Sequence, residues 1–111
     1  MCIRDRYAIV GDGCLMEGIS YESSSLAGHL KLNNLVILFD DNGISIDGKT
    51  SLSTSENHIA KFTAMGFETY TVDGHNFDQI RYALSQKSDK PIFIAFKTSI
   101  GKGTKLSLIH I

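Results

Sequence analysis

Cysteine is scarce in this sequence. Cys2 lies near the N-terminus and Cys14 just after a glycine turn, and neither a disulfide framework nor a zinc-binding spacing can be built from the two. A reducing compartment is expected. An excess of one charge is also lacking: the net charge is −1 and the 11 Lys and Arg residues are dispersed rather than gathered into a stripe, which argues against nucleic acid as a partner. No apolar run approaches the roughly 20 residues that span a bilayer, and Met1–Arg6 has no apolar stretch of the kind a signal peptide needs. Internal repeats and low-complexity linkers are missing too. What remains is 111 residues, 42% hydrophobic, 9% aromatic and 21% charged, the composition of one α/β domain. A cytoplasmic location is expected, with neither membrane nor nucleic acid as partner.

The two ends differ in character from the middle. Met1–Arg6 and Leu106–Ile111 can both be encoded by a single short DNA tag read from opposite strands, of the kind a transposase leaves in sequencing libraries. The expected layout is therefore a non-native end at 1–6, a partial domain at 7–105 and a second non-native end at 106–111, the ends making few specific contacts with the core.

Along the middle, strand and helix signals alternate. Tyr7–Val10 is a short apolar run ending at a glycine, which suits a buried strand. Leu15, Ile19, Leu26 and Ala27 recur at helical spacing, and Gly28 is placed to end that helix. Leu35–Phe39 is an uninterrupted apolar strand of the type that parallel sheets bury, and it ends in Asp40-Asp41-Asn42. A loop from Gly43 to about Ser53 follows, then Ser53-Thr54-Ser55-Glu56 reads as a capping box for a helix that stops at Gly66. Glu68–Val72 reads as a strand, Asn76 caps a helix with apolar face Phe77, Ile80, Ala83 and Leu84, and Pro91 opens the strand Ile92–Phe96. The fold expected is α/β and doubly wound, a mostly parallel sheet with helices on both faces and right-handed crossovers.

Two turns carry chemistry. Gly11-Asp12-Gly13 ends one apolar run, and Asn42, at the end of the next, follows Asp12 by 30 positions. One strand-helix-strand unit is about that long, so an acid and an amide are delivered to the same edge of a parallel sheet, where open α/β sheets bind ligands. Either motif alone is as readily an ordinary turn; their coincidence favours a site. Glycines let the backbone approach a phosphate, but an aspartate beside them would repel it unless a cation lay between. Magnesium suits such a set of oxygen ligands, with Ca2+ or another divalent cation as alternatives. Asn42 offers an amide oxygen, and Ile44 in the irregular segment after it is the choice for an inward-turned main-chain carbonyl.

At this point the residues resemble a known family. Gly11–Ser20 (GDGCLMEGIS), Ser25–Gly28 and Asp40–Gly48 (DDNGISIDG) are similar to the diphosphate-binding half of the transketolases, as are Val72-Asp73-Gly74-His75 and Lys97–Gly103. The likeness covers Tyr7 to about Thr104, and the Asn-Gly-Ile-Ser-Ile-Asp-Gly loop points to transketolase within the wider class of thiamine diphosphate enzymes. The resemblance implies the thiamine diphosphate-binding fold and transfer of a two-carbon ketol unit from a ketose phosphate to an aldose phosphate. It also implies thiamine diphosphate and magnesium as cofactors, sugar phosphates as substrates, and a homodimer with the site at the subunit interface. Carried over residue by residue, it makes Asp12 and Asn42 side-chain ligands of magnesium and Ile44 a main-chain ligand. Gly11, Gly13 and Asn42 would meet the diphosphate, Ile46 would pack near the thiazolium ring, and Glu17 and Glu22 would lie toward the interface.

No catalytic residue is expected within this stretch. His29 and His58 read as helix-end or surface residues, His75 as part of a turn and His110 as part of the non-native end; Cys14 reads as a packing residue. The piece is accordingly expected to be inactive by itself. Other readings remain beside this one: a synthase of the dihydroxyacetone or deoxyxylulose phosphate type, a non-catalytic subunit, or a nicotinamide-dependent dehydrogenase. The last needs a glycine three positions after Gly13, whereas the next one here is Gly18, five positions on.

Overall fold

A computed structural model describes residues 5–46 and 48–104. Its elements in chain order are β1 (Arg6–Val10), α1 (Asp12–Met16), α2 (Gly18–His29), β2 (Leu35–Asp41), β3 (Ile44–Ser45), β4 (Gly48–Lys49), a short 3-10 turn (Thr50–Leu52), α3 (His58–Ala64), β5 (Glu68–Asp73), α4 (Phe77–Leu84) and β6 (Ile92–Lys97). Among the described residues β1, β2, β6 and β5 form one sheet in that order, every pairing parallel, while β3 and β4 make a small antiparallel hairpin. The expected α/β architecture with a parallel sheet is thus observed.

Alternation of side chains along β2 and β6 divides the interior into two layers. Ile37, Phe39, Phe93 and Ala95 face α1, α2 and α3, meeting Leu15, Ala27, Phe62 and Phe67. Val36, Leu38, Ile92, Ile94 and Phe96 face the other way and pack with Val72, Tyr70 and Ala83 of α4. Helices therefore cover both faces. The strand buried on both sides is β6, with Ile92, Phe93, Ile94 and Ala95 all inside, because it is flanked by β2 and β5.

Several local expectations are corrected. The helix expected from about Leu15 to Ala27 is two helices, since Glu17 has extended backbone (ψ 135°) and separates α1 from α2. That break changes the helical phase, so Leu15 and Ala27 are buried but Ile19 is 73% exposed and Leu26 lies outside as well. The inner face of α2 is Ser24, Ala27 and Gly28, small residues that allow close approach. Gly28 does not end the helix, which runs on to His29; a Cβ there would lie 1.8 Å from the Met65 carbonyl oxygen at the end of α3.

The Ser53–Glu56 capping box does not form. Asn57 caps α3 instead, its Oδ1 accepting from the Ala60 N–H at 3.0 Å, while Glu56 pairs with Lys61. Asn76 caps α4 as expected, accepting from Asp78 and Gln79, but Phe77 at the first position of that helix is 78% exposed and its inner contact is Ala83. The boundary drawn after residue 6 falls inside β1: the Arg6 N–H donates to the Asn34 carbonyl at 2.7 Å, and Asp5 lies 3.5 Å from Lys87. The remainder of the two ends, 1–4 and 105–111, lies outside the described residues.

The α2–α3 contact is expected to be intolerant of a single methyl group. Gly28→Ala should destabilise the protein by about 3 kcal/mol or more, at or beyond the usual cost of overpacking, because the obstructing atom is backbone. Thermal unfolding of the intact protein measures this, and an unchanged Tm would show that the two helices separate easily.

Candidate cation and diphosphate site

Parallel pairing of β1 with β2 sets Val10 opposite Phe39, so the residues that follow each strand emerge side by side. Asp12 begins α1 there, and Asp40, Asp41 and Asn42 finish the neighbouring strand. Next in the sheet, β6 places Lys97 opposite Asp41, and β5 places Asp73 opposite Lys97. The carboxyl edge thus gathers charged groups from all four strands and their immediate continuations. A cleft of about 440 Å³ opens over it, lined among others by Asp12, Asp41, His58, Lys97 and Phe39.

Most polar groups at this edge are matched. Lys97 Nζ donates to Asp41 Oδ2 and Thr98 Oγ1 to Asp40 Oδ1. The Asn42 side chain bridges locally: its Nδ2 lies 3.4 Å from Asp40 Oδ2, and its Oδ1 accepts from the Ile44 N–H at 2.9 Å, one lone pair remaining free. The exceptions are His58, whose ring nitrogens have no hydrogen-bond partner among the described residues, and Asp12. Asp12 is buried, and its Oδ2 has no hydrogen-bond partner among the described residues. Burial first, then the nearby carboxylates of Asp41 and Asp40, push its carboxyl above the usual range, against the opposing pull of His58 and its own backbone. A divalent cation would relieve both causes at once by supplying positive charge to a buried oxygen. On this ground Asp12 fits the part of a cation ligand.

The sequence-derived candidates are partly brought together. Gly13 lies beside the hairpin, since a Cβ on it would stand 3.9 Å from Ser45 Oγ, and a Cβ on Gly11 would meet nothing within 4 Å. Both leave room for a ligand to approach the backbone. Asn42 and Ile44 share one turn, but they and Ile46 lie on the hairpin outside the lining of the cleft that Asp12 faces. Ile46 is 92% exposed with positive φ (+59°). Glu17 and Glu22 are exposed on the α1–α2 side. Among the described residues no three His, Cys, Asp or Glu side chains gather as a metal cluster.

Two other motifs meet at this edge. The Gly74 N–H donates to the Lys97 carbonyl at 2.8 Å, where a Cβ on Gly74 would strike Thr98 Cγ2 at 2.5 Å. His75 Nε2 accepts from the Ser99 N–H at 2.9 Å, so His75 is the turn residue it was expected to be. His58 is the first residue of α3, a helix-end position as expected, but it is not on the surface. It is buried against Phe39, with ring centroids 5.1 Å apart and nearly perpendicular, and its Nε2 lies 3.7 Å from Asp12 Oδ1. Burial, assisted by Lys61, pulls its pKa below the usual value despite Asp12, Glu56 and Asp41. Since Asp12 is pushed up and His58 down, both shifts disfavour charge, and the pair is not a strong salt bridge.

The family model described as "Transketolase, thiamine diphosphate binding domain" matches residues 2–109. The chain belongs to the transketolase family. It is 51% identical over 105 residues to the transketolase of Sinorhizobium medicae (strain WSM419), an alignment covering 93% of this chain and 15% of that one. It matches the solved structure of Campylobacter jejuni transketolase with a TM-score of 0.92 at 45% identity, over 96% of this chain and 17% of that chain. A Pichia stipitis transketolase in complex with sedoheptulose-7-phosphate matches with a TM-score of 0.88 at 40% identity, over 94% of this chain and 16% of that chain. The chain thus spans only 15% to 17% of the length of these transketolases. Membership of this family sets the dehydrogenase alternative aside.

The pKa direction of Asp12 gives a test that needs no substrate. A carboxyl raised on folding adds stability that is complete below its unfolded-state pKa and is lost as pH rises through the folded-state value. In EDTA, the wild-type protein is therefore expected to lose Tm relative to Asp12→Asn as pH rises from the acid range to neutrality. A pH-independent difference between the two would contradict the account of a buried, unmatched carboxylate.

Proposed function

We propose that this stretch is the cation- and diphosphate-anchoring segment of a transketolase, which moves a two-carbon ketol unit from a ketose phosphate to an aldose phosphate. The observation that carries the reading is the buried Asp12 carboxylate, left with an unmatched oxygen between acidic neighbours at the carboxyl edge of the sheet. Asp12 and Asn42 side chains and the Ile44 carbonyl would hold magnesium. The backbone near Gly11 and Gly13, together with Asn42, would face the diphosphate of thiamine diphosphate, and Ile46 the thiazolium ring. Bound there, the cofactor supplies the carbanion chemistry, while this chain's residues neutralise the diphosphate and fix its position.

Sugar phosphates are the proposed substrates, supported by the sedoheptulose-7-phosphate complex of the Pichia stipitis relative. Homodimer formation is supported by the outer side of α1 and α2, where Met16, Ile19, Leu26 and Leu30 are exposed, with Glu17 and Glu22 exposed on the same helices. A place in the pentose phosphate pathway and in the cytoplasm accords with such substrates; no helix among the described residues is long and apolar enough to cross a membrane. The tag reading of 1–6 and 106–111, flanking a partial domain at 7–105, belongs to the same proposal, and an intact genomic reading frame is its check.

Calorimetric titration of thiamine diphosphate into the full-length protein tests the site. Binding is expected only with a divalent metal. Asp12→Ala should weaken it by about 100-fold through lost charge neutralisation, and Asn42→Ala by about 10-fold through lost geometry, on the scale of the roughly 10–100-fold that loss of a metal ligand's supporting partner costs. Metal-independent binding, or wild-type affinity in both variants, would show that these turns have been given the wrong role.

A further inference from the structure

His58 has no part in the reading above, yet it is the side chain that faces Asp12. Its side chain is 8% exposed, and its Nε2 lies 3.7 Å from Asp12 Oδ1. Neither of its ring nitrogens has a hydrogen-bond partner among the described residues, and the same is true of Asp12 Oδ2. Each buried polar atom left unmatched costs about 1–3 kcal/mol. Packing does not demand the cost of the two ring nitrogens: an apolar ring would make the same edge-to-face contact with Phe39 and carry no unmatched nitrogen. The imidazole is explained by what it faces rather than by what it packs on.

We infer that His58 is a positioning residue for the cation site: its Nε2–H donates to Asp12 Oδ1 and holds the carboxylate so that Oδ2 is presented to the divalent cation. The inference rests on the proposal that Asp12 is a cation ligand. The observed 3.7 Å is longer than a hydrogen bond, and closing it takes roughly 0.8 Å of movement. Phe39 beneath the ring and the start of α3 behind it fix which way the imidazole points. One carboxylate oxygen then serves each purpose, Oδ1 the imidazole and Oδ2 the metal. Ligating carboxylates are commonly steadied from outside in this way, and such partners are worth 10–100-fold in metal affinity.

The test uses the full-length protein with thiamine diphosphate, and Mn2+ as the probe. Mn2+ affinity is read from the EPR signal of the free ion for wild type, His58→Phe, His58→Leu and His58→Gln. The Phe and Leu substitutions keep an apolar group against Phe39 and remove the donor. They are expected to weaken Mn2+ binding about 10–100-fold, with Tm in EDTA equal to or above wild type. His58→Gln, whose amide nitrogen can stand near the place of Nε2, should recover most of the affinity. Pulsed EPR of the bound Mn2+ in wild type should show no directly bonded imidazole nitrogen. Wild-type affinity in whichever apolar variant folds would overturn the inference, as would a Gln variant no better than the Leu variant. A directly bonded nitrogen would also overturn it, by making His58 a ligand. Failure of the wild-type protein to bind Mn2+ at all would instead sink the role given to Asp12.

Discussion

Asp12 and Asp41 face one cleft where β1 and β2 end, with Asp40 next to Asp41 on the opposite face of its strand, and the other groups of this edge are arranged around the repulsion among these carboxylates. Asp41 is answered by Lys97 across the strand pairing, and Asp40 by the Thr98 hydroxyl and the Asn42 amide. These partners all come from β6 or from the continuation of β2 and β6, so they are set by register and remain fixed. Asp12 comes from the other side, at the start of α1, and among the described residues no Lys or Arg pairs with it. Like charges in a partly desolvated cleft interact far more strongly than in water, so the residual imbalance falls on the most buried of the three. The sheet holds that imbalance in place because the strands carrying it are paired along their whole lengths.

What makes the edge rigid is aromatic. Phe62 of α3 stacks on Phe93 of β6 at 3.9 Å, Phe93 lies against Phe39 at 5.8 Å, and Phe67 meets Phe62 edge-on at 5.1 Å. Burying each ring contributes about 1.5–3 kcal/mol, and together they fix α3 against the sheet. His58, one turn before Phe62 on the same face, is carried along and placed against Phe39 and Asp12. Gly28 and Gly66 let α2 close on the other end of α3, so the helix is constrained at both termini. Chemistry at the edge and packing in the core are therefore the same structure viewed from two sides.

Much of this was legible in the sequence. Val10 before a glycine and Leu35–Phe39 before Asp40-Asp41-Asn42 announce two strands whose ends meet, and parallel pairing follows from the helix between them. The errors share a cause: periodicity reports one uninterrupted helix axis. Glu17 interrupts it, and so Ile19 and Leu26, inward by count, face outward while Ser24 and Gly28 face in. The capping box at Ser53–Glu56 was a sound local pattern defeated by Asn57, a better-placed cap that follows Ser53 by four positions. His58 was illegible for a different reason. Its burial comes from Phe39 and Asp12, 19 and 46 positions earlier, and no local pattern announces contacts at that separation.

Ile46 connects the sequence motif to the physics of the hairpin. Its left-handed backbone (φ +59°) is strained for a β-branched residue, at a cost on the order of 1–3 kcal/mol, and glycine or asparagine would relieve it. Gly43, three positions earlier, shows that the same segment uses glycine where positive φ is needed. Nothing in the core repays the strain, because the side chain is 92% exposed. An exposed, strained isoleucine beside Asn42 and Ile44 is thus poorly explained by folding alone. It is well explained if an apolar ring covers it when a ligand lies along the hairpin, since burial of the side chain would return about as much free energy as the backbone gives up.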